Sequence, residues 1–257
     1  MILEILQPIP LTLAVLIIFC AYFIFGISGF GSSIVAVPLL VQLFPLTTVV
    51  PMMVLMDICA SLYLGRKSSN EADKKELLWL FPFTVVGMVI GITLLINAPS
   101  EPLLIILGIF AGANGIRVLT KKKVELRTPI SKWWAMPFGF FGGIFTALFA
   151  TGGAIYASYL EMRMRDPRML RATMAFAILI LTAMRFVFML VAELLLHLDV
   201  MVLAICMLLP MIFGLWAGSK VHSKLSSSKI LTIYGSILLF SGSMLLLKEV
   251  PKLVRIS

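Results

Sequence analysis

Gly26-Ile27-Ser28-Gly29-Phe30-Gly31-Ser32-Ser33 interrupts an apolar stretch that otherwise runs from residue 8 to residue 43. On its N-terminal side, run 8–27 is long enough to enter a membrane deeply. On its C-terminal side, run 30–43 is too short to cross: fourteen helical residues cover about 21 Å, against a hydrocarbon core of about 30 Å. The pattern recurs further along, where run 133–150 breaks at Thr151-Gly152-Gly153 and is followed by run 151–162, about 18 Å as a helix. Each pair reads as a helical hairpin that enters the membrane, turns inside the protein and leaves by the side it entered. Non-helical backbone at that depth is tolerated only where protein buries it or it lines a polar cavity.

Composition requires the membrane. The 257 residues are 61% hydrophobic and 13% charged, with mean hydropathy +1.08. A soluble domain is about half apolar and about a quarter charged, so this excess has to face lipid. Full-length apolar runs at 46–65, 76–97, 101–119, 168–193, 199–219 and 229–248 supply the remaining crossings. The net charge of +9 does not indicate nucleic acid, because 19 of the 21 basic residues fall in five short segments between or after apolar runs. That is the loop bias of a membrane protein. The N-terminus lacks the basic segment of a cleaved leader, so 8–27 reads as the first membrane element. Cys20, Cys59 and Cys206 sit singly in apolar runs without ligand spacing, which leaves them as small buried hydrophobes and implies no metal or other cofactor.

Basic residues also set the orientation. Segments 66–75, 120–132, 161–171 and 220–230 carry 16 Lys and Arg, whereas the N-terminus, 44–46, 97–101 and 193–199 carry none. Placing the basic segments in the cytoplasm puts the N-terminus outside, hairpin 8–43 dipping in from outside and hairpin 133–162 dipping in from the cytoplasm. Each hairpin is followed by three crossings. Only Lys248, Lys252 and Arg255 vote the other way.

The halves match in sequence as well. Gly29-Phe30-Gly31-Ser32-Ser33-Ile34-Val35 lies opposite Phe149-Ala150-Thr151-Gly152-Gly153-Ala154-Ile155 at an offset of 120, and Pro45 opposite Pro167 at 122. Gly87, Gly91, Gly108 and Gly115 meet Gly214, Gly218, Gly235 and Gly242, all at 127. A unit of one hairpin and three crossings has odd parity, so its copy must be inverted. The expectation is an all-α polytopic integral membrane protein, a single membrane domain over 1–257, with two inverted-topology repeats at 8–119 and 133–248 joined by a basic cytoplasmic linker at 120–132. Many secondary transporters are built this way.

Two breaks of this kind make a site. A half-helix starting near Ser32 presents unpaired N–H groups and about half a positive charge, and Thr151-Gly152-Gly153 supplies the same at the second break. Converging near the midplane, Gly29, Gly31, Ser32 and Ser33 with Thr151, Gly152 and Gly153 form a pocket suited to an oxyanion. Two ionisable residues lie deep in spanning runs: Asp57 in 46–65 and Arg185 in 168–193. Charges at that depth cost several kcal/mol and call for partners. They are either a structural ion pair or functional groups, Arg185 attracting the anion and Asp57 carrying a proton or gating. Gly87-x-x-x-Gly91, Gly214-x-x-x-Gly218 and Gly139-x-x-Gly142-Gly143 read as close-packing surfaces. Arg117 reads as a snorkelling residue near its helix end, and Glu193, His197 and Asp199 as a solvated outer turn rather than a metal site.

Gly29-Phe30-Gly31-Ser32-Ser33 running into Val37-Pro38-Leu39-Leu40, with Thr151-Gly152-Gly153-Ala154 running into Tyr159-Leu160, resembles the sulfite exporter TauE/SafE family over essentially the whole chain. That resemblance implies an inner-membrane carrier of sulfite, sulfoacetate or other organosulfonates, coupled to a proton or another ion gradient, and not an enzyme. The sequence departs from the family in having Gly-Phe-Gly-Ser-Ser where many members run three glycines, and Ser158 where the first repeat has Pro38. Two rival readings exist. Gly26-Ile27-Ser28-Gly29 has the look of a rhomboid-type intramembrane serine protease, but His197 and His222 are placed away from Ser28. A passive anion channel would use the same helix starts.

Overall fold

The computed structural model describes residues 8–28, 31–65, 72–120, 129–221 and 227–256. Among these, the chain is helical with no strand. The elements are α1 (Pro8–Ser28), α2 (Ser32–Leu40), α3 (Leu46–Gly65), α4 (Lys74–Asn97), α5 (Ser100–Thr120), a 3-10 turn (Lys132–Trp134), α6 (Ala135–Phe149), α7 (Gly153–Arg163), α8 (Pro167–Val191), α9 (Leu198–Val221) and α10 (Ser227–Ile256). Six of them carry stretches long and apolar enough to cross a membrane: Pro8–Ile27, Lys74–Asn97, Ser100–Thr120, Ala172–Val191, Leu198–Lys220 and Thr232–Lys252. The chain is a multi-pass membrane protein. The basic linker at 121–128, most of the first basic loop and residues 222–226 lie outside the described residues.

Both short segments are shorter than their apolar runs. Run 30–43 yields only nine helical residues because the helix ends at Leu40 in a turn, where the Val41 N–H donates to Val37 O and the Phe44 N–H to Leu40 O. At about 14 Å, α2 can reach only half-way through a bilayer, and α7, with 11 residues, covers about 17 Å. The arms that precede them are unequal. α1, with 21 residues, matches the hydrocarbon thickness, whereas α6 has 15.

The core forms where the halves interlock. α1 packs along α9 and α6 along α4; α3 lies against α8, and α5 against α10. Glycines make the first two contacts close. A Cβ built on Gly214 or Gly218 overlaps the backbone of Phe19 or Phe23 in α1, and one built on Gly87 or Gly91 overlaps the backbone of Phe140 or Ile144 in α6. Gly139 and Gly143 present the same close approach to Leu80 and Thr84 in α4. In lipid there is no hydrophobic drive between helices, so backbone proximity and dispersion hold such pairs together. The α5–α10 contact is similarly tight, with Gly115 against Gly235 and Gly242 against Gly108 and Gly112.

Two polar clasps follow the same exchange. Thr48 at the start of α3 donates through Oγ1 to Asp199 Oδ2 in α9 at 2.9 Å. Thr173 near the start of α8 accepts from the Asp73 N–H, which precedes α4, also at 2.9 Å. Asp199 therefore holds α3, while Glu193 and His197 stay exposed in the turn before α9. Among the described residues no group of three or more His, Cys, Asp or Glu is placed to hold a metal.

Candidate functional site

Gly31 makes the first break. Its φ of +94° lies in the left-handed region, which glycine adopts without steric cost, and it caps α2 so that the helix begins at Ser32. The second break is built differently. Its left-handed residue is Ala150, at φ +62°, with its N–H returned to Thr146 O at 3.0 Å. Gly152 is right-handed and is required for space, because a Cβ there would overlap Thr146 Oγ1 and Gly142 O. Gly153 has open space where its Cβ would be. Gly29 lies outside the described residues.

The first turns of both half-helices meet at one cavity. It is lined by Gly31, Ser32, Ser33 and Ile34 from the first break and by Ala150, Thr151, Gly153 and Ala154 from the second. Asp57, Thr146, Thr182, Arg185 and Tyr234 complete its polar wall. The cavity holds about 60 Å³. A water needs about 10–15 Å³, so the space suits a few waters or one small oxyanion.

Asp57 is the hub of the wall. Its Oδ1 accepts from Tyr22 OH and Ser32 Oγ, each at 2.8 Å, and its Oδ2 from Ser33 Oγ at 2.6 Å and Arg185 Nη2 at 2.9 Å. Asp57 and Arg185 therefore form a buried ion pair between α3 and α8, the pair that their depth in the sequence called for. Ser32 and Ser33 sit at the cavity as expected, with their hydroxyls donated to Asp57. The Ser32 and Ser33 hydroxyls and Tyr22 act in this arrangement as an inner shell that orients the carboxylate.

Among the described residues, other donors are left without protein partners. Arg185 is 2% exposed, and its Nε has no acceptor; its Nη1 has only Thr146 O at 3.4 Å. Thr151, also 2% exposed, has an Oγ1 with no partner. A buried guanidinium N–H without an acceptor is costly, and here it lies beside a cavity. The arrangement can take in a group with several acceptor oxygens and negative charge, which two helix starts also favour. Tyr234 on α10 brings its hydroxyl beside Gly31 and completes the wall. No sequence pattern marked Tyr22, Tyr234 or Thr182.

A second buried cluster lies near the start of α4. Glu76, 6% exposed, accepts from Arg163 Nε at 2.7 Å and Nη2 at 2.9 Å, and from the Tyr159 hydroxyl. Arg163 Nη1 also donates to Ile130 O at 2.6 Å, so the pair ties α4, α7 and the segment before α6. Arg117 does more than reach for the membrane edge: it donates to Ser158 Oγ and lies 3.6 Å from Glu161, joining α5 to α7. Ser28 ends α1, its side chain outside the described residues along with His222, and His197 is in an exposed turn.

A family model described as Sulfite exporter TauE/SafE matches residues 14–245. No curated protein and no solved structure gives a significant match to the chain.

Proposed function

The chain belongs to the sulfite exporter TauE/SafE family, and from that premise we propose that it is a secondary transporter for small sulfur oxyanions. Its substrate class is sulfite, sulfoacetate or another organosulfonate, exported across a bacterial inner membrane by alternating access. The observation that carries the reading is the cavity between the two half-helix starts. Arg185 and Thr151 line it, and among the described residues Arg185 Nε and Thr151 Oγ1 have no protein partner; oxyanions are the ligands that satisfy several donors at once.

The mechanism follows from the architecture. The repeats 8–119 and 133–248 are inverted copies, with the N-terminus outside. Matched exchanges of contact support this: α1 on α9 answers α6 on α4, and Thr48–Asp199 answers Thr173–Asp73. An inverted repeat permits two conformations in which the halves trade roles around a fixed site. The two half-helices are already unlike in packing. Every residue of α2 except Leu39 is buried, whereas in α7 only Tyr156, Ser158, Tyr159 and Leu160 are. Such an asymmetry suits a state open alongside α7, the hairpin assigned to the cytoplasmic side.

Thermal unfolding of the purified protein against a panel of small oxyanions tests the site. Sulfite or a sulfonate at 100 times its Kd stabilises the folded state by about 2.7 kcal/mol. Thr151→Val keeps the shape and removes only an unpartnered hydroxyl, so it leaves the ligand-free melting temperature in place and weakens the anion shift. An undiminished shift in Thr151→Val, or no shift with any sulfur oxyanion, contradicts the assignment.

A further inference from the structure

Resting on that transport reading, the lining of the cavity points to the kind of sulfur anion it prefers. The lining is of two kinds. Arg185, Thr151 and the two half-helix starts supply donors. Phe25 of α1, Ile34 of α2, Ala150 and Ala154 of the second break, and Ile178 and Leu181 of α8 are apolar. Ile178, Leu181 and Arg185 recur at i, i+3 and i+7, so they share one face of α8. Leu181 lies about one turn and Ile178 about two turns before Arg185, and the apolar wall therefore continues along α8 from the arginine toward the helix start. Thr182, less than a turn before Arg185, falls at the donor end. The volume of about 60 Å³ is room for about four to six water-sized groups, more than the sulfur and oxygens of sulfite fill. Ligand pockets are commonly apolar with a few placed polar groups that fix orientation.

We infer that the preferred substrate is a short alkanesulfonate with an uncharged tail, its sulfonate on Arg185 and Thr151 and its carbon chain on Leu181 and Ile178. Charge supports the uncharged tail. Arg185 and Asp57 carry opposite unit charges, and no other charged side chain lines the cavity among the described residues. The starts of α2 and α7 add about half a positive charge each, so together they balance one negative charge. An alkanesulfonate carries one. A carboxylate at the far end of the chain, as in sulfoacetate, adds a second and sets it against Leu181 and Ile178, where no cation meets it; burial of such a charge is costly. Inorganic sulfite satisfies the donors and leaves the apolar wall unfilled. Leu181 and Ile178 are thus the residues that set specificity for the tail, while Arg185 and Thr151 hold the head.

Calorimetric titration of the purified wild-type protein with sulfite, methanesulfonate, ethanesulfonate and sulfoacetate tests this. Each carbon buried on the apolar wall tightens Kd about fourfold. Ethanesulfonate therefore binds about fourfold tighter than methanesulfonate, with sulfite weaker than either, and sulfoacetate binds more than about tenfold weaker than ethanesulfonate. Leu181→Thr puts a hydroxyl into the wall and brings the ratio of the two alkanesulfonate affinities toward one, a ratio that a general loss of competent protein does not move. The wild-type series stands whether or not this variant folds. Equal wild-type affinities for methanesulfonate and ethanesulfonate, sulfoacetate bound as tightly as ethanesulfonate, or a ratio unchanged in Leu181→Thr overturns the tail assignment while leaving the anion site standing. Absence of binding by all four anions overturns both.

Discussion

Removing one member of the Asp57–Arg185 pair tests the centre of the fold and of the site together. The charges approach to 2.9 Å, and the two side chains are 10% and 3% exposed. At an effective dielectric of about 20 the attraction is about 6 kcal/mol, much of it consumed by desolvation of the two ions. What a single deletion reads is therefore the cost of leaving the survivor bare, about 3–5 kcal/mol. The two variants should differ. Arg185→Gln leaves Asp57 with three hydroxyl donors, from Tyr22, Ser32 and Ser33, so it belongs near 3 kcal/mol. Asp57→Asn leaves Arg185 with only a 3.4 Å contact to Thr146 O, so it belongs near 5 kcal/mol. In the double variant no buried ion remains, and its loss falls short of the sum by about 2–3 kcal/mol. Unfolding titrations in mixed micelles supply the four free energies of the cycle. Single losses below about 1 kcal/mol, or strict additivity within about 0.5 kcal/mol, would refute the pairing.

Neighbouring glycines at the second break make a sharper contrast than distant ones. Gly152→Ala drives a methyl into Thr146 Oγ1 and Gly142 O, and should lower stability by about 1–3 kcal/mol in the same unfolding assay. Gly153→Ala has open space and should leave stability within about 0.5 kcal/mol, while its methyl weakens oxyanion binding at the cavity. Glu76→Gln removes the partner of a mostly buried Arg163 and should cost about 3 kcal/mol by denaturant titration, with Tyr159→Phe costing about 1 kcal/mol.

How much of this was legible depended on which physical constraint wrote it. The two short segments could be read from sequence because lipid sets a minimum span, and the depth of Asp57 and Arg185 called for partners while leaving open whether each was the other's. The close-packing glycines could be read for the same reason, and Gly87, Gly91, Gly214 and Gly218 all press on neighbouring backbone. The roles of Ser32 and Ser33 were less open to view. Their place beside the cavity followed from the break, but their hydrogen bonds go to a carboxylate 24 and 25 residues away, a matter of tertiary geometry. Ala150, not a glycine, takes the left-handed turn, and no propensity favours alanine there. Glu76 and Arg163 sit at the ends of apolar runs, where charges ordinarily meet water, so their burial had no local signature. Tyr22 and Tyr234 look like any aromatic in a membrane helix until the fold turns their hydroxyls inward.

The most direct measurement is a crystal structure with selenite bound, in which the anomalous signal of selenium locates the anion. The account predicts one dominant peak between the start of α2 and the start of α7, with oxygens about 2.7–3.0 Å from Arg185 Nε and Thr151 Oγ1. Selenium found only at the basic loops, or at the exposed turn bearing Glu193 and His197, with the central cavity empty, would contradict it.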